Sequence, residues 1–205
     1  MTAFTTLVFR NAYKIPTTGR YWIVLLVLTV CSFSVSATGE ARITEAEIVL
    51  SDTGSYVLNA DIELELKPRV IEAINRGISL YFVAELLVER PRWYWFNTTV
   101  VEQKLYYRLY YHAITRSYRL SVGNFHQNFD TLETAVRTMQ RIRHWEIAPP
   151  ETFQQDVPYE VSLQFRLDTS QLPKPFQVTV IGSRDWNIAT EWLRWNFLPS
   201  ENASQ

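Results

Sequence analysis

Hydrophobic and polar positions trade places at every second residue over long parts of this chain. The clearest run begins at Tyr56: Tyr56, Leu58, Ala60, Ile62, Leu64 and Leu66 alternate with Asn59, Asp61, Glu63 and Glu65. A period of two with one polar side predicts a strand covered by a core on one face. The turn signal Asp52-Thr53-Gly54 joins it to the preceding "ARITEAEIVL" as a hairpin. Ile78, Leu80, Phe82, Ala84, Leu86 and Val88 resume the rhythm, with Ser79, Glu85 and Glu89 opposite. Pro91 interrupts pairing, so the aromatics of residues 93–96 are expected to turn a corner. Next, Leu105, Tyr107, Leu109 and Tyr111 alternate with Lys104, Tyr106, Arg108, Tyr110 and His112. After a turn near residues 115–117, Tyr118, Leu120 and Val122 complete a second hairpin. Val157, Tyr159, Val161, Leu163, Phe165 and Leu167 form a sixth strand.

Two short stretches follow a helical period instead. Pro68 suits a first helical turn and Gly77 a helix end, so residues 68–76 read as a helix with Val70, Ile71 and Ile74 on one face. Asp130 has the position of an N-cap, with Glu133 at capping-box spacing. Leu132, Ala135, Val136, Met139 and Ile142 then share one stripe, and Pro149-Pro150 stops anything helical. "SQLPKPFQVTVIGS" reads as a loop with a further short strand; in "DWNIATEWLRWNF", Ile188, Trp192 and Trp195 fit a helix while Leu193, Trp195 and Phe197 fit a closing strand, the reading preferred here. Seven or eight strands with two inserted short helices predict a mainly β protein, an antiparallel β-sandwich. An immunoglobulin-like arrangement is one way to stack it. The alternative is an α+β fold with both helices on one face of an antiparallel sheet.

The N-terminal segment changes this picture. Residues 1–37 hold Arg10, Lys14 and Arg20 but no acidic residue, then an apolar run from position 21 that closes on the small-residue exit Val35-Ser36-Ala37. These are the parts of a secretory signal. A retained anchor in the inner membrane, residues 21–37, is the alternative, because the run approaches the length of a spanning helix only when its serines are counted. The expected organisation is a signal or anchor at 1–37, one exported domain at 38–198 and a disordered tail at 199–205. Cys31 is the sole cysteine, so the exported domain has no disulfide and suits a bacterial periplasm. Removing three basic residues leaves 17 against 21 acidic, a net charge of 17 − 21 = −4. That balance argues against a nucleic-acid partner.

Candidate chemistry is sparse. No glycine-rich phosphate loop, H-E-x-x-H, G-x-S-x-G or cysteine nucleophile appears, so no catalytic residue, metal or cofactor is assigned and the protein reads as a non-enzyme. His126 lies near Asp130 in an expected loop, without a third group spaced to join them. Glu63, Glu65, Glu85 and Glu89 read as a solvated sheet face. Arg137, Arg141, Arg143 and His144 read as the basic back of the second helix. The binding candidates are Tyr106, Arg108 and Tyr110, on the outward face of one strand, where tyrosine and arginine make good contact surface. A helix laid over that face, residues 132–142 for instance, is the competing reading. Trp186 and Trp192 are further candidates, for stacking on sugars or for plugging the end of the sandwich.

Near the C-terminus, Leu172-Pro173-Lys174-Pro175 followed by Asp185-Trp186, Trp192 and Trp195 looks like the closing signature of a proteobacterial exported family. That family is known as a domain of unknown function (number four-three-nine-zero). Glu63 to Leu66 and Ile78 to Phe82 are similar in rhythm as well. The resemblance implies an envelope setting in Gram-negative bacteria, with genes near a membrane sensor kinase, and carries no activity or catalytic residue. The expected function is a periplasmic protein-interaction module whose partner is an envelope or inner-membrane protein. Membrane contact is expected only through the N-terminal segment. A glycan- or cell-wall-fragment-binding module, or a hydrolase, is the alternative.

Overall fold

The alternating runs become strands in the computed structural model, which describes residues 41–94, 96–180 and 183–199, except the side chains of Val178 and Thr179. All of these belong to one compact unit of the chain. The expected signal or anchor lies outside the described residues, as does the expected tail beyond Pro199.

Strands β1 (Ala41–Leu50) and β2 (Tyr56–Leu64) form the first hairpin, and β7 (Arg141–Ala148) pairs with the free side of β2. A second sheet is built from β3 (Leu80–Arg90), β4 (Thr98–His112), β5 (Ser117–Val122), β6 (Phe125–Phe129), β8 (Tyr159–Leu167) and β9 (Leu193–Phe197). Its order is β6-β5-β4-β3-β8-β9, antiparallel throughout, so β3 to β6 form a meander. The result is a mainly β, sandwich-like arrangement of two antiparallel sheets with three short helices.

Three strands are too narrow to cover six, since neighbouring strands lie about 4.8 Å apart. Helices supply the difference. α1 (Pro68–Asn75) packs on β4 through buried Val70, Ala73 and Ile74. α2 (Leu132–Met139) packs on β5 and β6 and reaches β7, burying Ala135 and Met139 in the same core. At the centre, Phe82 on β3 stacks on Phe165 of β8, ring centroids 5.7 Å apart. At one end of the sandwich Phe153 meets Tyr56, Tyr159 and Phe197 edge to face.

Four local expectations need correction. The cap of α2 is Thr131, whose Oγ1 accepts the Thr134 N–H, and not Asp130. The helix stops at Met139 rather than running to Ile142. Gln140 is captured by β2: its carbonyl accepts the Ile62 N–H at 2.8 Å and its side-chain amide donates to the Leu64 carbonyl at 2.9 Å. Arg141, Arg143 and His144 therefore lie on β7, where Arg143 and His144 together oppose Asn59 in a bulge. Bulges of this kind bend a strand and interrupt its ladder only locally. His144 takes a positive φ of 52° there, its N–H held by Asn59 Oδ1 at 3.0 Å. His126 sits on a strand, because Gly123, at φ 55°, and Asn124 make a two-residue turn that folds β6 back onto β5. The expected loop and strand after Ser170 contain a helix, α3 (Lys174–Val180). Pro175 falls in its first turn, where no N–H is needed. The Gln177 side chain ties the helix to the Ser170 and Leu172 carbonyls, at 2.7 Å each.

Candidate functional site

The backbone period of β4 decides where its polar residues go. Leu105, Tyr107 and Leu109 turn inward; Tyr106 and Arg108 are exposed on the opposite side, with Tyr110 half-buried beside them. No helix or strand among the described residues covers this outer face at Tyr106, whose side chain is 47 % exposed. α2 lies on the inner side, in the core, so the covering-helix reading is not what the chain adopts. Burial does push the Tyr107 phenol well above its ordinary range, as expected for the inward neighbour.

Register then assembles a site from four strands. Tyr81, Arg108, Ser121 and His126 stand opposite one another across β3, β4, β5 and β6, and Tyr110, Arg119 and Asn128 form the next row. The Arg108 guanidinium lies over the Tyr110 ring, 4.7 Å from its centroid, and 5.8 Å from that of Tyr81. Its Nε and Nη2 donate to Ser79 Oγ at 3.2 and 3.0 Å. Arg119 donates to Asn128 Oδ1 at 2.9 Å and reaches the Tyr110 hydroxyl at 3.5 Å. The two guanidinium groups are thus held in place, Arg108 by the ring beneath it as well as by Ser79. Tyr81, Arg108, Tyr110, Arg119, Ser121 and His126 line an open concavity of about 450 Å³, with no carboxylate among its described lining.

Further along the same face the charge is internally matched. Glu85 on β3 accepts from Arg166 on β8 at 2.7 Å and faces Lys104 on β4 at 3.3 Å. Burial pushes the Glu85 carboxyl up, but the hydrogen bonds and charge of Arg166 and Lys104 outweigh it and hold it below its ordinary value. The hydrogen bond with Glu85 likewise raises Arg166. Val83 is fully buried outside the main core, opposite Tyr106 and Arg166 in the ladder.

The remaining candidates do not converge here. Trp192 lies just before β9, on the far side of β8 from β3 and β4, whereas the short turn Arg184–Trp186 lies against α1, with Asp185 facing Lys67 and Arg69 at 3.8 and 3.3 Å. Trp186 is only 7 % exposed and belongs to the core, whereas Trp192 is 40 % exposed. Trp186 borders a separate open concavity of about 550 Å³ with Ser170, Gln177 and Arg184, and no carboxylate is among its described lining. Glu63 is paired with Arg42 at 2.6 Å in solvent, and Glu89 faces Glu160 across the ladder. His126 and Asp130 are separated by about 13 Å at the rise of a strand. Ser121, opposite His126, makes half of a nucleophile–base pair, but no hydrogen bond joins the two among the described residues. Among the described residues no group of three His, Cys, Asp or Glu side chains is placed to hold a metal ion.

Sequence reasoning missed Tyr81, Arg119 and His126 as members of the site. The alternation Tyr118, Leu120 and Val122 already put Arg119 and Ser121 outward. The pairing of β5 with β4, and hence Arg119 beside Tyr110, is a matter of register.

A family model described as "Domain of unknown function (DUF4390)" matches residues 38–196. No curated protein and no solved structure matches the chain.

Proposed function

Because the chain belongs to the family of that domain of unknown function, we propose, from the geometry of its outer sheet face, a non-enzymatic interaction module of the bacterial envelope. The partner would present an acidic surface to the Tyr81–Arg108–Tyr110–Arg119 patch. One observation carries this reading: among the described residues no helix or strand covers the Tyr106–Arg108–Tyr110 face, and two guanidinium groups are held there by hydrogen bonds with no carboxylate in the described lining of the concavity. Aromatic and arginine side chains are the residue types that dominate interface energies, and an arginine already held by hydrogen bonds has less rotamer freedom left to lose on docking. The resemblance to an exported family supports placing the domain in the periplasm, with an envelope or inner-membrane protein as partner, and a sensor kinase as one such partner.

The test is a photo-crosslinking residue in place of Tyr106 in living Gram-negative cells, followed by recovery of the adducts. A single acidic envelope protein should be captured reproducibly, and Arg108→Glu together with Arg119→Glu should reduce its capture at least tenfold. Unchanged capture with both charges reversed would remove this surface from the function. A second reading, a small glycan fragment held beneath Trp186, is favoured by the hydroxyl, amide and guanidinium groups that share its concavity. Protection of Trp186 fluorescence from acrylamide by cell-wall fragments, with no effect of the arginine reversals, would favour that reading.

A further inference from the structure

The β3–β4 connection makes the most exposed apolar surface among the described residues. Trp93 is 92 % exposed, Tyr94 74 % and Phe96 85 %. Trp93 and Tyr94 pack on each other edge to face, centroids 5.2 Å apart, and neither belongs to the core. The last ladder pair is Arg90 with Thr98, so residues 91–94, 96 and 97 lie beyond the end of the β3–β4 ladder. Residues 98–106 of β4 pair with β3 alone, because β5 begins its pairing only at Tyr107. The tip therefore stands clear of the meander. Leu50 and Leu198 are also exposed at this end, next to the Tyr56–Phe153–Phe197 cluster. Apolar side chains gathered at one end, unlike scattered ones, mark a contact surface.

The composition of the tip selects its occupant. From Arg90 to Val101 the chain carries Arg90 and Arg92, three described aromatic residues, and no acidic residue. Tryptophan and tyrosine settle at the headgroup level of bilayers, where the ring is buried and its polar atom stays wet. Arginine next to them is attracted by anionic headgroups. The geometry points to the β3–β4 tip as a bilayer-contacting element that seats Trp93, Tyr94 and Phe96 in the headgroup layer of an anionic phospholipid surface. This contact is separate from the N-terminal segment, to which the sequence assigned all membrane contact. It is also independent of the Tyr106–Arg108–Tyr110 face, since it uses none of those side chains.

A local reporter tests it even if the N-terminal segment itself binds vesicles. In the full chain carrying Cys31→Ser, an environment-sensitive fluorophore is attached at Asn97→Cys, and in a control chain at Ile114→Cys in the β4–β5 turn. Vesicles of phosphatidylethanolamine and phosphatidylglycerol, 3:1, should raise the emission of the tip label severalfold. Headgroup-level nitroxide lipids should quench it, and the control label should stay unchanged. Trp93→Ser, Tyr94→Ser and Phe96→Ser combined should abolish the response, with the circular dichroism of the fold retained. A tip label that stays in water while the protein co-floats with vesicles overturns the proposal. So does a response that survives loss of the aromatics. A label that ignores vesicles but responds to an envelope protein extract assigns the tip to a protein and overturns it equally.

Discussion

Glu85 shows how one side chain can serve three strands. It sits on β3 with Lys104 of β4 on one side and Arg166 of β8 on the other, both within 3.3 Å. The sequence presented Glu85 as one of several acids on a solvated face, and nothing in a single strand distinguishes it from Glu89. Cross-strand register makes the difference, because Glu89 meets Glu160 instead. The folded carboxyl holds its proton less tightly than the unfolded one, so the unfolded chain binds more protons as pH falls past the ordinary glutamate value of 4.5. Stability from this group is complete above that value and is lost as pH falls through the lower, folded value. Glu85→Gln should therefore cost about 1–3 kcal/mol at neutral pH, the penalty of leaving partly buried charges unmatched. Urea unfolding should show the gap between variant and parent closing below about pH 4. A gap of constant size from pH 7 to pH 3 would mean that Glu85 does not stabilise as an anion.

At the scale of elements, helix ends and short polar strands are where sequence and structure part. The stripe Leu132, Ala135, Val136 and Met139 was legible because it buries one helical face. Its cap was misplaced by one residue, since Asp130 and Thr131 both have capping side chains and only backbone conformation chooses between them. Thr131→Ala should cost about 1 kcal/mol by losing the bond to the Thr134 N–H. Asp130→Ala, exposed and off the cap, should stay within about 0.5 kcal/mol of the parent in the same thermal unfolding assay. The reverse order would restore the Asp130 cap. Phe125–Phe129 and Arg141–Ala148 were illegible as strands for a common reason. In the first, four of five residues are exposed, and in the second the bulge opposite Asn59 breaks the alternation between buried Ile142 and Ile147, so neither shows a two-residue period and pairing partners supplied the conformation.

For the whole molecule, both sheets and all three helices share one continuous core, from Ile48 and Leu58 through Phe82 and Phe165 to Ala135, Met139 and Val180. Such sharing implies a single cooperative transition. Phe165→Ala removes a ring that stacks on Phe82 and touches Tyr107 edge to face, and should cost about 3–5 kcal/mol. Far-ultraviolet dichroism and tryptophan fluorescence should report the same shifted midpoint. Two separated midpoints would show that the three-stranded and six-stranded sheets unfold independently.

The two-residue rhythm was enough to mark β2 to β5 and β8 and the side chains that each turns inward, a turn signal added β1, and together they foresaw a mainly β, sandwich-like architecture, which the folded chain has; for β9 the rhythm left helix and strand both open, with strand preferred. The family resemblance, resting on tryptophan and proline spacing, is matched by the family model over residues 38–196. Such information is local: backbone geometry and one apolar neighbour layer suffice to write it into successive residues. Register, coverage and exposure are not local. Arg108 faces Tyr81 and His126 because four strands slide into one alignment. Tyr106 is bare because the helices were needed on the other side of a sheet twice as wide as its partner. Trp93 stands in solvent because β3 and β4 outrun β5. Each of these depends on which segments, far apart in the chain, come to lie side by side, and contact free energy summed over the whole core settles that.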